Sequence, residues 1–125
     1  MIDFEIFAQM LDESANKLPK EIYIELNGGV NLLYDKKAHP ESPDGRLFVL
    51  GEYIHNNLGR YINIYYGSFM LMYGHYADDR LAIEIEHTLK HEFVHHLESL
   101  AGSKDLEIAD AQFIAKYKES LKKFM

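Results

Sequence analysis

The chain contains no cysteine. Disulfides and thiolate metal sites are therefore excluded, which is compatible with a reducing compartment. Basic residues are also in short supply. Thirteen Lys and Arg stand against 20 Asp and Glu, for a net charge of −7. Acidic chains repel phosphate backbones, and no Lys/Arg cluster or stripe appears, so no nucleic-acid partner is expected. Long apolar runs are missing as well. The most apolar stretch, "YINIYYGSFMLMYG", is too short and too polar to span a bilayer. The first residues, "MIDFEIFAQML", carry Asp3 and Glu5 where a signal peptide carries Lys or Arg. The expectation is a soluble, cytoplasmic protein with no membrane partner. Internal repeats and low-complexity segments are absent too, and nothing indicates an oligomeric state.

What is present suffices for one folded unit. A chain of 125 residues with 47% hydrophobic and 26% charged residues fits a single domain over 1–125 with a real core. Phe4, Phe7, Ala8, Leu11, Ala15 and Leu18 recur at helical spacing, so a helix is predicted over about 4–18, capped by Asp3 and stopped by Pro19. In "EIYIELNGG", Ile22, Ile24 and Leu26 alternate with Tyr23 and Glu25, which predicts a half-buried strand ending in a Gly-Gly turn. Residues 34–46 hold two of the three prolines and read as an exposed loop. "RLFVLGEYI" and "RYINIYYG" predict two strands of a hairpin with a longer loop, and "SFMLMYG" a short helix or irregular segment. A long helix follows, opened by Asp78 or Asp79 as cap and closed by Gly102, then a last helix over about 104–122. Strands grouped together with helices before and after predict an α+β fold, a small, mostly antiparallel sheet packed on the long helix.

The long helix carries the chemistry. The stretch 88–102 reads "TLKHEFVHHLESLAG" and contains H-E-x-x-H. Residues four apart on a helix stand one above the other, so His91 and His95 can aim two imidazoles at one ion. Imidazole suits Zn²⁺, and two protein nitrogens leave room for a third ligand and a water. Glu92 lies about 100° round from His91, placed beside such a water to accept its proton. The apolar stripe of Leu81, Ile85, Leu89, Phe93, Leu97 and Leu100 lies on another face, with His91 about 200° from Leu89.

Other polar residues carry open assignments. His87 forms a second i, i+4 pair with His91 but has Thr88 after it, so a polar surface position is favoured. His96 falls near the apolar stripe. A structural hydrogen bond is its first expectation and support of Glu92 its second. Among the acids after the motif, Asp105 and Glu107 are the candidates for a third metal ligand. If the last helix folds back, Asp110 comes level with His95, as a ligand or as a carboxylate that orients one. Glu98 shares the histidine face as a surface charge or a supporting partner. Tyr61, Tyr65, Tyr66, Tyr73 and Tyr76 cluster before the long helix, and one of them is a candidate donor to an oxyanion.

With these residues in place, the chain resembles the small bacterial zincin-like metallopeptidases, or minimal zincins. The resemblance rests on "GRYINIYYGSF", "TLKHEFVHHLESLAG" and "DLEIAD" and covers roughly residues 21–114. It implies a minimal zincin-like α+β fold, zinc held by His91 and His95, Glu92 as general base, and peptide-bond hydrolysis. The sequence departs from the shorter pattern H-E-x-x-H-x-x-G-x-x-D. Glu98 stands where the Gly would fall and Ala101 where the Asp would fall. The match resumes four residues later, as Gly102-Ser103-Lys104-Asp105. One extra turn moves the break about 6 Å along the axis, which keeps both Asp105 and Glu107 open.

The resulting expectation is a zinc metallopeptidase that binds a peptide or protein substrate, extended along a strand edge within 47–66. The alternative is a non-catalytic protein-binding module that keeps the zincin scaffold.

Overall fold

Asp3 sets the start of the first helix, α1 (Phe4–Lys17), accepting a hydrogen bond from the Ile6 N–H at 2.9 Å. Phe7 and Leu11 on one face of α1 are buried. The computed structural model describes residues 2–42, 44–102 and 108–122. After Pro19 the chain makes a 3-10 helix, Lys20–Tyr23, rather than the predicted strand. The burial explains why. Ile22 and Leu26 are buried, whereas Ile24 between them is 37% exposed. The two inward residues are four apart, a turn-like spacing that short alternation imitates. Glu25 adopts a positive φ of 60°, and the chain then turns through Gly28 and Gly29, as the Gly-Gly pair predicts, into β1 (Val30–Leu33).

β1 lies just before the stretch read as loop, in residues for which no strand was predicted. The sequence-distant strands β2 (Gly51–Asn56) and β3 (Gly59–Tyr65) complete the sheet. The order is β1-β3-β2, with β1 parallel to β3 and β2 antiparallel to it. The sheet is therefore mixed, not mostly antiparallel. Asn56 pairs with Gly59, so the hairpin loop is two residues long, shorter than expected, and Gly59 takes a φ of 114° that favours glycine.

α2 (Tyr66–Tyr73) follows directly from β3 and leads to α3 (Asp78–Ala101), the 24-residue helix that carries the motif. Its N-cap is Ala77, and Asp78 and Asp79 occupy the first helical turn instead of capping it. There their charge still favours the helix N-terminus. Gly102 is the C-cap, as expected. The predicted stripe holds along its whole length: Leu81, Ile85, Leu89, Phe93, Leu97 and Leu100 are all at most 2% exposed. They join Ile62 and Ile64 of β3 and Phe7 of α1 in one core. α4 (Ile108–Lys122) packs against α3 through residues such as Ile114 and Leu121. Among the described residues the architecture is α+β, four α-helices and a three-stranded mixed sheet. No helix among the described residues is long and apolar enough to cross a membrane.

Candidate active site

Register along β2 decides what faces α3. Ile62 N–H bonds the Gly29 carbonyl on the β1 side, and Tyr65 N–H bonds the Leu50 carbonyl on the β2 side. In an antiparallel pair such groups alternate. Leu50, Glu52 and Ile54 therefore bond β3, while Gly51 and Tyr53 turn their backbone groups to the free edge. That edge lies along α3. A Cβ at Gly51 would sit 2.8 Å from Thr88 Cγ2 and 3.3 Å from Glu92 Cγ, so the strand meets the helix here at glycine contact distance.

A groove runs between this edge and α3. One part, about 500 Å³, is lined by Phe48, Val49, Gly51, His87, His91 and Glu92, and also by His39 and Glu84. The other, about 650 Å³, is lined by Gly51, Tyr53, His91, Glu92, His95 and Glu98. His91 and Glu92 belong to both, so they stand in the middle.

The two motif histidines are exposed to the groove and converge. Their Nε2 atoms are 3.1 Å apart, with the rings nearly perpendicular at 86°. Two nitrogens bound tetrahedrally at 2.0–2.1 Å to one zinc ion lie about 3.4 Å apart, so this pair already has nearly the separation a shared ion requires. Burial first, and the neighbouring His95 second, lower the His91 pKa, against a small upward pull from Glu98. A neutral imidazole offers the lone pair that a metal needs.

Glu92 differs from both. It is 6% exposed, and burial pushes its pKa up to about 7. The Tyr53 backbone N–H faces the carboxylate and pulls the other way, and the charge of Glu52 adds a small upward push. A carboxyl group poised near neutral pH, beside two converging imidazoles, is equipped to take and return a proton.

The remaining candidates separate. No group of three or more His, Cys, Asp or Glu side chains that could hold a metal occurs among the described residues. Asp105 and Glu107 lie outside the described residues, as does the side chain of Asp110, in the first turn of α4. Glu98 lines the groove and pairs with Lys122 at 3.5 Å. His87 lines the groove next to His91, and its surface position agrees with the sequence expectation.

His96 takes its first expected role. Its Nε2 is 2.8 Å from the Ile24 carbonyl and its Nδ1 2.9 Å from Tyr53 Oη, so neither ring nitrogen reaches Glu92. None of the five clustered tyrosines lines the groove. Tyr65 donates to Glu52 at 2.8 Å and Tyr66 to the Ile2 carbonyl at 2.6 Å, while Tyr61 accepts from Asn56 at 3.1 Å. Tyr53 does line it, and neither Tyr53 nor Gly51 was singled out by the sequence. The one available signal was that both share the odd-numbered face of the predicted strand.

Fold and site together define a small α+β chain with an H-E-x-x-H helix facing a sheet edge. A solved structure described as a conserved hypothetical protein (TTHA0227) from Thermo thermophilus is similar, with a TM-score of 0.69 and 32% identity over 80% of this chain and 98% of that one. The chain belongs to the same family as that protein. No family model matches the chain, and no curated protein does.

Proposed function

We propose that the protein is a zinc-dependent metallopeptidase with a minimal zincin-like fold, acting in the cytoplasm on peptide or protein substrates. The observation that carries this reading is the convergence of His91 and His95 at 3.1 Å beside the buried Glu92, at the centre of a groove walled by a strand edge. His91 and His95 are the residues that would hold the ion, with Asp105 or Glu107 as third donor. Zinc bound there supplies Lewis-acid chemistry, acidifying a water and polarising a carbonyl.

The chain's own residues do the rest. Glu92 accepts the proton of the attacking water and delivers it to the leaving amine. Its burial keeps the protonated form accessible near neutral pH, which the second transfer needs. The free edge of β2 offers the Gly51 backbone beside Glu92, so a substrate pairs with a short length of strand rather than a long one. Tyr53 N–H, the next outward donor, faces Glu92.

The test uses purified protein loaded with zinc, a library of quenched peptides, and the Glu92→Gln variant. Expected are zinc near one equivalent and peptide cleavage that Glu92→Gln lowers by at least about 100-fold at unchanged zinc content. Cleavage that persists in Glu92→Gln removes Glu92 as the base. Absence of both zinc binding and cleavage supports the binding module on the same scaffold.

A further inference from the structure

His96 is fully buried, and each ring nitrogen has one partner. The Ile24 carbonyl only accepts, so His96 Nε2 carries the proton and donates to it. Nδ1 is then the acceptor, and Tyr53 O–H donates to it. This assignment makes the imidazole neutral, and burial, which lowers the His96 pKa, keeps it so. The ring thus ties together three segments that are remote in sequence: the turn at Ile24, the C-terminal part of α3, and β2.

The tie on β2 falls at one particular residue. The Tyr53 side chain bonds His96, and the Tyr53 backbone N–H, turned to the free edge of β2, faces the Glu92 carboxylate. His96 and Glu92 are four residues apart on α3 and so stand one turn from each other. A single strand residue therefore spans one helical turn, with its hydroxyl at one end and its amide at the other. Gly51, two residues earlier, closes the strand onto Thr88 and Glu92 Cγ. We propose that Tyr53 and His96 are positioning residues for Glu92: their side-chain hydrogen bond fixes the β2 edge against α3 so that the Tyr53 N–H aims the Glu92 carboxylate into the groove. The catalytic consequence rests on the metallopeptidase reading, whereas the hold on Glu92 does not.

Tyr53→Phe removes the hydroxyl and keeps the ring, so it is expected to fold. The first readout needs neither metal nor activity. Amide hydrogen exchange at position 53 of the metal-free protein is compared in wild type, Glu92→Ala and Tyr53→Phe. Exchange there is expected to speed up at least about tenfold in both variants, while the Ile62 and Ile64 amides of β3 keep their rates. The second readout is cleavage by zinc-loaded protein. A small displacement of a reacting group lowers kcat steeply, so Tyr53→Phe is expected to lower kcat about tenfold with KM within about twofold. His96→Phe is expected to repeat both effects; if it does not fold, Tyr53→Phe decides alone. Unchanged exchange at position 53 in Tyr53→Phe overturns the proposal. So does faster exchange with unchanged kcat, since the brace would then not position Glu92 for the reaction. If zinc-loaded wild type cleaves no peptide, the metallopeptidase reading fails and the catalytic part of this proposal with it. Exchange at position 53 then still decides whether the brace holds Glu92.

Discussion

Gly51 of β2 and Thr88 of α3 are in contact so close that a methyl group on Gly51 would lie 2.8 Å from Thr88 Cγ2. Thr88 is β-branched and stiff in a helix, so it cannot swing aside freely. Overpacking of this kind costs about 1–3 kcal/mol. Gly51→Ala is therefore expected to lower the stability of the metal-free protein by that amount in urea unfolding. Thr88→Ser removes the obstructing methyl. The double variant should recover at least about 0.5 kcal/mol relative to the sum of the single changes. Simple additivity would show that the strand does not seat against the helix at this point.

The convergence of His91 and His95 predicts how metal binding divides between them. Each supplies one nitrogen, and the two are already 3.1 Å apart. Losing a residue that merely supports a ligand costs about 10–100-fold in affinity, so losing a ligand should cost more than about 100-fold. His91→Ala and His95→Ala are each expected to do so in competition titrations with a zinc chelator. His87→Ala, one turn before His91, is expected to stay within about threefold. An equal loss at all three positions would place the ion further towards the N-terminus of α3.

How much of this was readable beforehand depends on the range of the interactions involved. The helix boundaries of α1 were legible because Asp3 and Pro19 act locally, and the buried stripe of α3 because its spacing repeats over six residues. The face bearing His91, Glu92 and His95 followed from helical spacing alone. β1 was not legible. Its partner Ile62 lies 32 residues after Val30, and a parallel pairing leaves no mark in the strand's own four residues. The segment around Ile22 failed for the opposite reason. Three alternating apolar residues are too few to separate a strand from a turn, and the exposure of Ile24 shows which one formed. Tyr53 was passed over because its role comes from strand register and from the position of His96, both of which are tertiary facts. His96 was half legible, since its place near the stripe foretold burial but not its partners.

Glu52 gives a pH-dependent prediction away from the histidines. Its carboxylate accepts from Lys37 Nζ at 2.6 Å and from Tyr65 Oη at 2.8 Å. Burial pushes its pKa up, but the bonds from Lys37 and Tyr65 outweigh this and leave it below the ordinary value. A carboxylate depressed in the folded state contributes stability that is fully present above the unfolded pKa, about 4.3, and is lost as pH falls through the lower folded value. With Lys37 Nζ on a side chain 42% exposed, solvent screening limits the pair to about 1 kcal/mol or less. Glu52→Gln is thus expected to be less stable than wild type by up to that amount at pH 7, and equal to it near pH 2. Urea midpoints at the two pH values check this. A gap that persists at low pH would mean that the loss comes from packing and not from charge.

The last donor to the ion is open to a direct assignment. On the chain, Asp105 resumes the interrupted G-x-x-D pattern after Gly102, and Glu107 follows two residues later with a side chain longer by one carbon. Two histidine nitrogens alone hold zinc loosely, and a carboxylate completes three protein ligands while leaving one position open to water. Asp105→Asn and Glu107→Gln keep shape and remove charge, so each isolates the donor role at small cost to folding. One of the two is expected to weaken zinc binding by more than about 100-fold, and the other to leave it within about threefold. Loss at position 107 would show that the extra turn of α3 shifts the ligand along the chain. Loss at position 105 would show that the interrupted pattern still finds its usual place. Retention in both variants would overturn a carboxylate from this segment as the third ligand, leaving Glu98, which already lines the groove beside His95, as the acid to test next.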